Sequence, residues 1–170
     1  SANVEAYVDN VKQEPLMAKL PVKGKITGEV ENAKLGYKEL TLSNGAHVML
    51  KKTDYKQDEI IMLAIRRGGK SLYGKEDLAN LKMMDQFNSM KKLGGFTKNE
   101  LSKALAGKQV YASYVIDHYT NGVIAQSTVK DMETMFQLTN LMFTDLGKDE
   151  QAFNKVMTQQ AEQLANQASN

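Results

Sequence analysis

The chain has no cysteine, no tryptophan, two histidines, two prolines and two arginines in 170 residues. Without cysteine there are no disulfides, iron–sulfur clusters, thiolate zinc sites or cysteine nucleophiles. His47 and His118 are the only imidazoles, and their separation of 71 residues rules out a pair at the i, i+4 spacing of a helical zinc motif. The longest unbroken apolar run, residues 60–65, is six residues, whereas a membrane-spanning helix needs roughly 18 or more. No transmembrane helix is expected. Lys and Arg number 22 against 20 Asp and Glu, and only Arg66 and Arg67 are arginines. Nucleic-acid readers cluster basic charge and use arginine forks on bases and phosphates, so a scattered lysine surface argues against that partner.

What is present suits a globular domain. Apolar residues make up 42 % and charged residues 25 %, close to the soluble average, and the length matches about one domain. The first residues show no basic segment followed by an apolar run. Residues 159–170 form a polar, Gln- and Ala-rich helical tail whose only stop signal is Ala168-Ser169-Asn170. We expect a piece cut from a longer chain, truncated at its C-terminus.

Periodicity gives the elements. Val4, Tyr7, Val8 and Val11 have helical spacing, and residues 14–36, holding both prolines and three glycines, read as a connector. Residues 37–42 and 47–52 alternate around Asn44-Gly45, a hairpin signal because both residues tolerate positive φ. Residues 60–66 read as a central strand or one buried on both faces. Residues 76–93 read as a helix with Ala79, Met83, Phe87 and Met90 on one stripe. Thr97 and Glu100 form a capping box for a short helix ending at Gly107. Residues 109–116 and 123–127 read as strands about an Asn121-Gly122 turn. Thr128 to Asp131 resembles an N-cap for a helix with Val129, Met132, Phe136, Thr139, Phe143 and Leu146 inward. Phe153, Val156, Met157, Ala161 and Leu164 mark a last helix. The order β-β-β-α-α-β-β-α-α, with hairpins rather than crossovers, predicts an α+β fold: a mostly antiparallel sheet with helices on one face.

Candidate chemistry is sparse. Gly68-Gly69-Lys70-Ser71 ends like a phosphate loop, but the first glycine of that motif is replaced by Ala64, and Leu72-Tyr73-Gly74 interrupts the helix that should follow. A flexible strand-to-helix turn accounts for it better. Asp117-His118 has no serine in a nucleophile-elbow context. Met83-Met84 and the ten methionines could offer a soft-metal or partner surface, but helically spaced methionine reads more readily as core filling.

Several ordered phrases converge on one family. Leu40-Thr41-Leu42-Ser43-Asn44-Gly45-Ala46-His47-Val48 resembles the opening hairpin of pitrilysin/insulinase-type zinc metallopeptidases. The stretch 52–60, Gly68-Gly69-Lys70-Ser71-Leu72, residues 101–108 and residues 128–143 resemble the second half of large bacterial members. Residues 21–26 resemble the linker between the halves. Together they cover about residues 21–170.

The resemblance implies a metallohydrolase fold like that of mitochondrial processing peptidase. It places residues 1–36 as the end of an upstream element plus inter-half linker, and residues 37–170 as the peptidase-like domain. The family's zinc motif, His-x-x-Glu-His, sits on the first helix after the opening strands. Aligned on residues 77–84, it puts Asn80 and Met84 in place of the histidines and Met83 in place of the glutamate base. The late glutamate ligand falls near Gln159 or Gln160. The resemblance therefore implies a non-catalytic domain, without metal of its own, from the C-terminal half of a periplasmic or envelope zinc protease of a Gram-negative bacterium. Its partners would be the catalytic half of the same protein and a peptide substrate. The alternative is a freestanding protein-interaction domain with no peptidase attached.

Overall fold

The computed structural model describes residues 11–87 and 90–168. The helical spacing of residues 4–10, the terminal Ser169-Asn170 and Asn88-Ser89 of the expected first helix lie outside the described residues. The chain divides into two compact units, residues 19–59 and the remainder.

Residues 19–59 form an antiparallel meander of β1 (Ile26–Asn32), β2 (Tyr37–Leu42) and β3 (His47–Leu50) in the order β1-β2-β3. The Asn44-Gly45 hairpin forms as its sequence predicts: Gly45 sits at φ 85°, and Asn44 Oδ1 accepts from Ala46 N–H at 3.0 Å. β1 corrects the reading of residues 14–36 as connector throughout. Its glycine and glutamates hide any apolar alternation, but Val30 pairs with Glu39 and Asn32 with Tyr37 across the ladder. Lys38 Nζ lies 2.5 Å from Glu29 Oε1, and this bond holds the lysine pKa above its ordinary value. No residue of this unit is fully buried.

The other unit is built on β4 (Ile60–Arg67), β6 (Val110–Ile116) and β7 (Thr120–Ser127), antiparallel in the order β4-β7-β6. Helix α3 (Met132–Thr144) lies on one face. Val123 and Ala125 from the sheet and Met135, Leu138, Leu141 and Met142 from α3 form the buried core with Leu93, and Leu16, Met17, Met62 and Tyr114 pack around it. The phenol of Tyr114 donates to the carbonyl of Met142, tying β6 to the end of α3. β4 is thus an edge strand with one covered face, not a strand buried on both. Ile60 and Met62 meet the core; Ile61, Leu63 and Ile65 are exposed on the other side.

Two further expectations change. The β6–β7 turn is Asp117-His118-Tyr119, and Asn121-Gly122 lies inside β7. A Cβ on Gly122 would sit 1.8 Å from the Ala64 carbonyl oxygen, so glycine is there for close strand approach rather than for turning. α3 also faces the sheet with a different stripe. Met135 is 0 % exposed while Phe136 is 52 % and Phe143 62 % exposed. The helix is apolar on two sides, and periodicity alone could not choose between them.

The remaining elements surround this core. A single 3-10 turn, Lys75–Asp77, leads into α1 (Leu78–Phe87), shorter than the helix expected over 76–93. The chain then forms β5 (Lys91–Leu93), antiparallel to β8 (Leu146–Lys148). α2 (Lys98–Ala104) carries the capping box as read: Glu100 N–H donates to Thr97 Oγ1, and Thr97 N–H donates to the Glu100 carboxylate at 2.8 Å. That second bond, first among its causes, lowers the Glu100 pKa. α4 (Glu150–Ala168) completes, among the described residues, an α+β fold of antiparallel sheets and four α-helices.

Candidate functional site

α1 carries the positions aligned with the zinc motif. Asn80 and Met84 are one helical turn apart and so share a face; Met83 adjoins them. Asn80 is exposed and both methionines are half-buried. From α4, Gln160 donates its amide to Gln86 Oε1 on α1, while Gln159 is exposed. This bond brings Gln160 to α1 at Gln86.

Zinc takes thiolate, imidazole and carboxylate donors. A neutral amide and two thioethers provide none of these, and a thioether cannot accept a proton from bound water. These residues do not fit the metal, and no hydrolytic step follows from them. Among the described residues no three His, Asp or Glu side chains gather as a metal site would.

The two histidines each engage one carboxylate. His47 Nδ1 lies 3.2 Å from Glu39 Oε1 in the β1-β2-β3 unit, and His118 Nδ1 lies 3.1 Å from Asp117 Oδ1 in the β6–β7 turn. Asp117 accepts first from the backbone N–H of His118 and then from its ring, which lowers the Asp117 pKa. Both residues of each pair are solvent-accessible.

Gly68-Gly69-Lys70-Ser71 is a structural clamp. Gly68, Lys70 and Ser71 donate their N–H groups to Tyr119, Asp117 and His118 carbonyls at 2.7 to 2.8 Å. A phosphate cradle needs those N–H groups free. Gly69 has φ 64°, and a Cβ there would fall 2.2 Å from the Asp117 carbonyl oxygen. The turn therefore locks the end of β4 onto the β6–β7 hairpin.

One polar cluster was visible in the sequence only as an N-cap signal. Asp131 is buried just before α3, where Oδ2 accepts from Gln109 N–H at 2.8 Å and from Thr128 Oγ1 at 3.2 Å, with Lys108 Nζ 3.8 Å from Oδ1. The Gln109 bond, first among its causes, lowers the Asp131 pKa. The Thr128-x-x-Asp131 spacing was the available signal, but its partner lies 22 residues away at the start of β6.

No family model matches the chain. Over 118 residues it is 28 % identical to the zinc protease PQQL-like of Arabidopsis thaliana, a stretch that is 69 % of this chain and 12 % of that protein. Its fold matches the crystal structure of the periplasmic protease PqqL from Escherichia coli with TM-score 0.77 and 20 % identity, covering 96 % of this chain and 18 % of that one. It also matches a mutant of the ferredoxin protease FusC, solved in complex with Arabidopsis ferredoxin, with TM-score 0.70 and 15 % identity over 99 % of this chain and 19 % of that one. The chain thus spans less than a fifth of the length of each. The chain is thus similar in sequence to a PQQL-like zinc protease and shares its fold with a stretch of two protease structures.

Proposed function

We propose that this chain is a non-catalytic domain from the C-terminal half of a large zinc metallopeptidase. It helps to enclose and position a peptide substrate in a chamber beside an active half elsewhere in the longer protein. The observation that carries the reading is the chemistry of α1: Asn80, Met83 and Met84 stand where the resemblance puts a zinc pair and its base, and Gln160 approaches the same helix. In this reading the peptidase-like domain takes in β1 with residues 37–170, and the linker role within residues 1–36 is kept for residues 19–25, between the core contact of Met17 and β1. Zinc belongs to the catalytic half of the longer protein. The periplasmic PqqL supports a periplasmic or envelope location, and FusC with ferredoxin supports a polypeptide substrate.

The test is to add zinc to the purified chain and follow metal uptake and peptide cleavage together. Neither is expected. Stoichiometric zinc uptake accompanied by proteolysis overturns the assignment. The sequence flanking this chain separates the freestanding alternative: an upstream His-x-x-Glu-His supports the peptidase half, and an open reading frame closing near Asn170 supports an independent interaction domain.

A further inference from the structure

Among the described residues of this unit, no helix or strand shields the apolar residues on the face of the β4-β7-β6 sheet opposite α3. Ile61, Leu63 and Ile65 of β4 are 68 %, 60 % and 60 % exposed, and Ile124 and Tyr111 stand beside them on β7 and β6. The ladder sets them in rows: Leu63 pairs with Ile124, while Ile61 and Tyr111 both pair with Gln126. Arg67 follows Ile65 on the same face by strand alternation. It is exposed, is the one charged residue on that face among the three strands, and has no carboxylate partner among the described residues. Aromatic, aliphatic and arginine side chains without lysine or acid are the composition of a binding-interface core.

Size decides what fits. From Ile61 to Arg67 the strip runs about 20 Å along the strand, and three strands spread it over about 10–15 Å, giving on the order of 200–300 Å². A second copy of the chain needs about 800 Å² per partner for a stable interface. An extended segment of about six residues spans about 20 Å and matches the strip. The planar guanidinium at one end selects a carboxylate, which it can hold through two parallel hydrogen bonds.

We infer that the open face of the β4-β7-β6 sheet is a docking strip for an extended, apolar polypeptide segment of about six residues bearing a carboxylate at the end that lies over Arg67. This rests on the substrate-enclosing reading and gives that reading a surface and a substrate chemistry. The probe is fluorescein-Leu-Thr-Ile-Ser-Leu-Asp-amide, followed by fluorescence anisotropy with the 170-residue chain, beside the same peptide ending in Lys. The Asp peptide is expected to bind at least fivefold more tightly. Arg67→Glu is expected to invert that preference, and Leu63→Ser to weaken both peptides at least fivefold. Both positions are exposed, so circular dichroism and the melting temperature should stay at the wild-type values.

Absence of binding by the wild-type chain, or binding that neither substitution alters, overturns the inference. So does a concentration-dependent dimer in sedimentation that Leu63→Ser abolishes, since the occupant is then a second copy. In the longer protein, a photo-cross-linker at position 63 that captures the protein's own chain in place of the peptide overturns it as well. None of these results touches the inactive-domain assignment, which falls only to zinc uptake with cleavage.

Discussion

Replacing Met135 by alanine tests which side of α3 holds the core. Met135 is fully buried between the helix and the sheet. The substitution removes Cγ, Sδ and Cε, worth roughly 0.8 kcal/mol each and so about 2.4 kcal/mol in transfer free energy. A cavity that relaxes only in part adds on the order of 1–2 kcal/mol, bringing the total to about 3.5–4.5 kcal/mol. Phe136, the next residue, is the control, because its ring is half in water already. Phe136→Ala gives up at most about 1 kcal/mol of burial and recovers part of it through the higher helix propensity of alanine. Urea denaturation followed by circular dichroism at 222 nm measures both. For a unit of this size, Met135→Ala should also lower the melting temperature by about 10 °C, and Phe136→Ala by only a few degrees. Equal losses, or a larger loss for Phe136→Ala, would refute the packing described and restore the stripe read from sequence.

Two other predictions follow from backbone contact and from charge. Gly122→Ala should abolish soluble, folded protein, because its Cβ would overlap the Ala64 carbonyl oxygen at 1.8 Å; Gly45→Ala, in open space at φ 85°, should cost only about 1 kcal/mol. A soluble Gly122→Ala protein with wild-type melting would contradict the close approach of β4 and β7. Asp131 has a folded pKa below its ordinary value, so it contributes stability above the unfolded carboxylate pKa, and that contribution is lost as pH falls through the folded value. Asp131→Asn should lower stability at neutral pH and flatten the acid limb of the stability–pH profile below about pH 4. An unchanged slope there would remove Asp131 from the account.

Local signals that act within a few residues were legible. The Asn44-Gly45 hairpin and the Thr97–Glu100 capping box each need only neighbouring residues, and both formed where the sequence put them. Features set by distant partners were not. Met135 and Phe136 are equally apolar, and only the sheet decides which is covered. β5 and β8 are three residues each and exist because they pair with one another across more than fifty residues. Asn121-Gly122 looks like a turn until Ala64 is placed against it. For the candidate site, Asn80, Met83, Met84, Gln159 and Gln160 carry no ligand chemistry, so composition and spacing could never have picked them out. Only the family resemblance singles them out.

The core unit is discontinuous in the chain, and this bears on synthesis. Leu16 and Met17 pack against a core completed by Leu138, Leu141 and Met142, with residues 19–59 forming their own unit in between. At about 5–20 residues per second, the ribosome makes Met142 on the order of ten seconds after Met17. For that interval the early apolar segment has no native surface to join. A chaperone that shields short apolar stretches would find its substrate here, at residues 16–17, before the sheet exists.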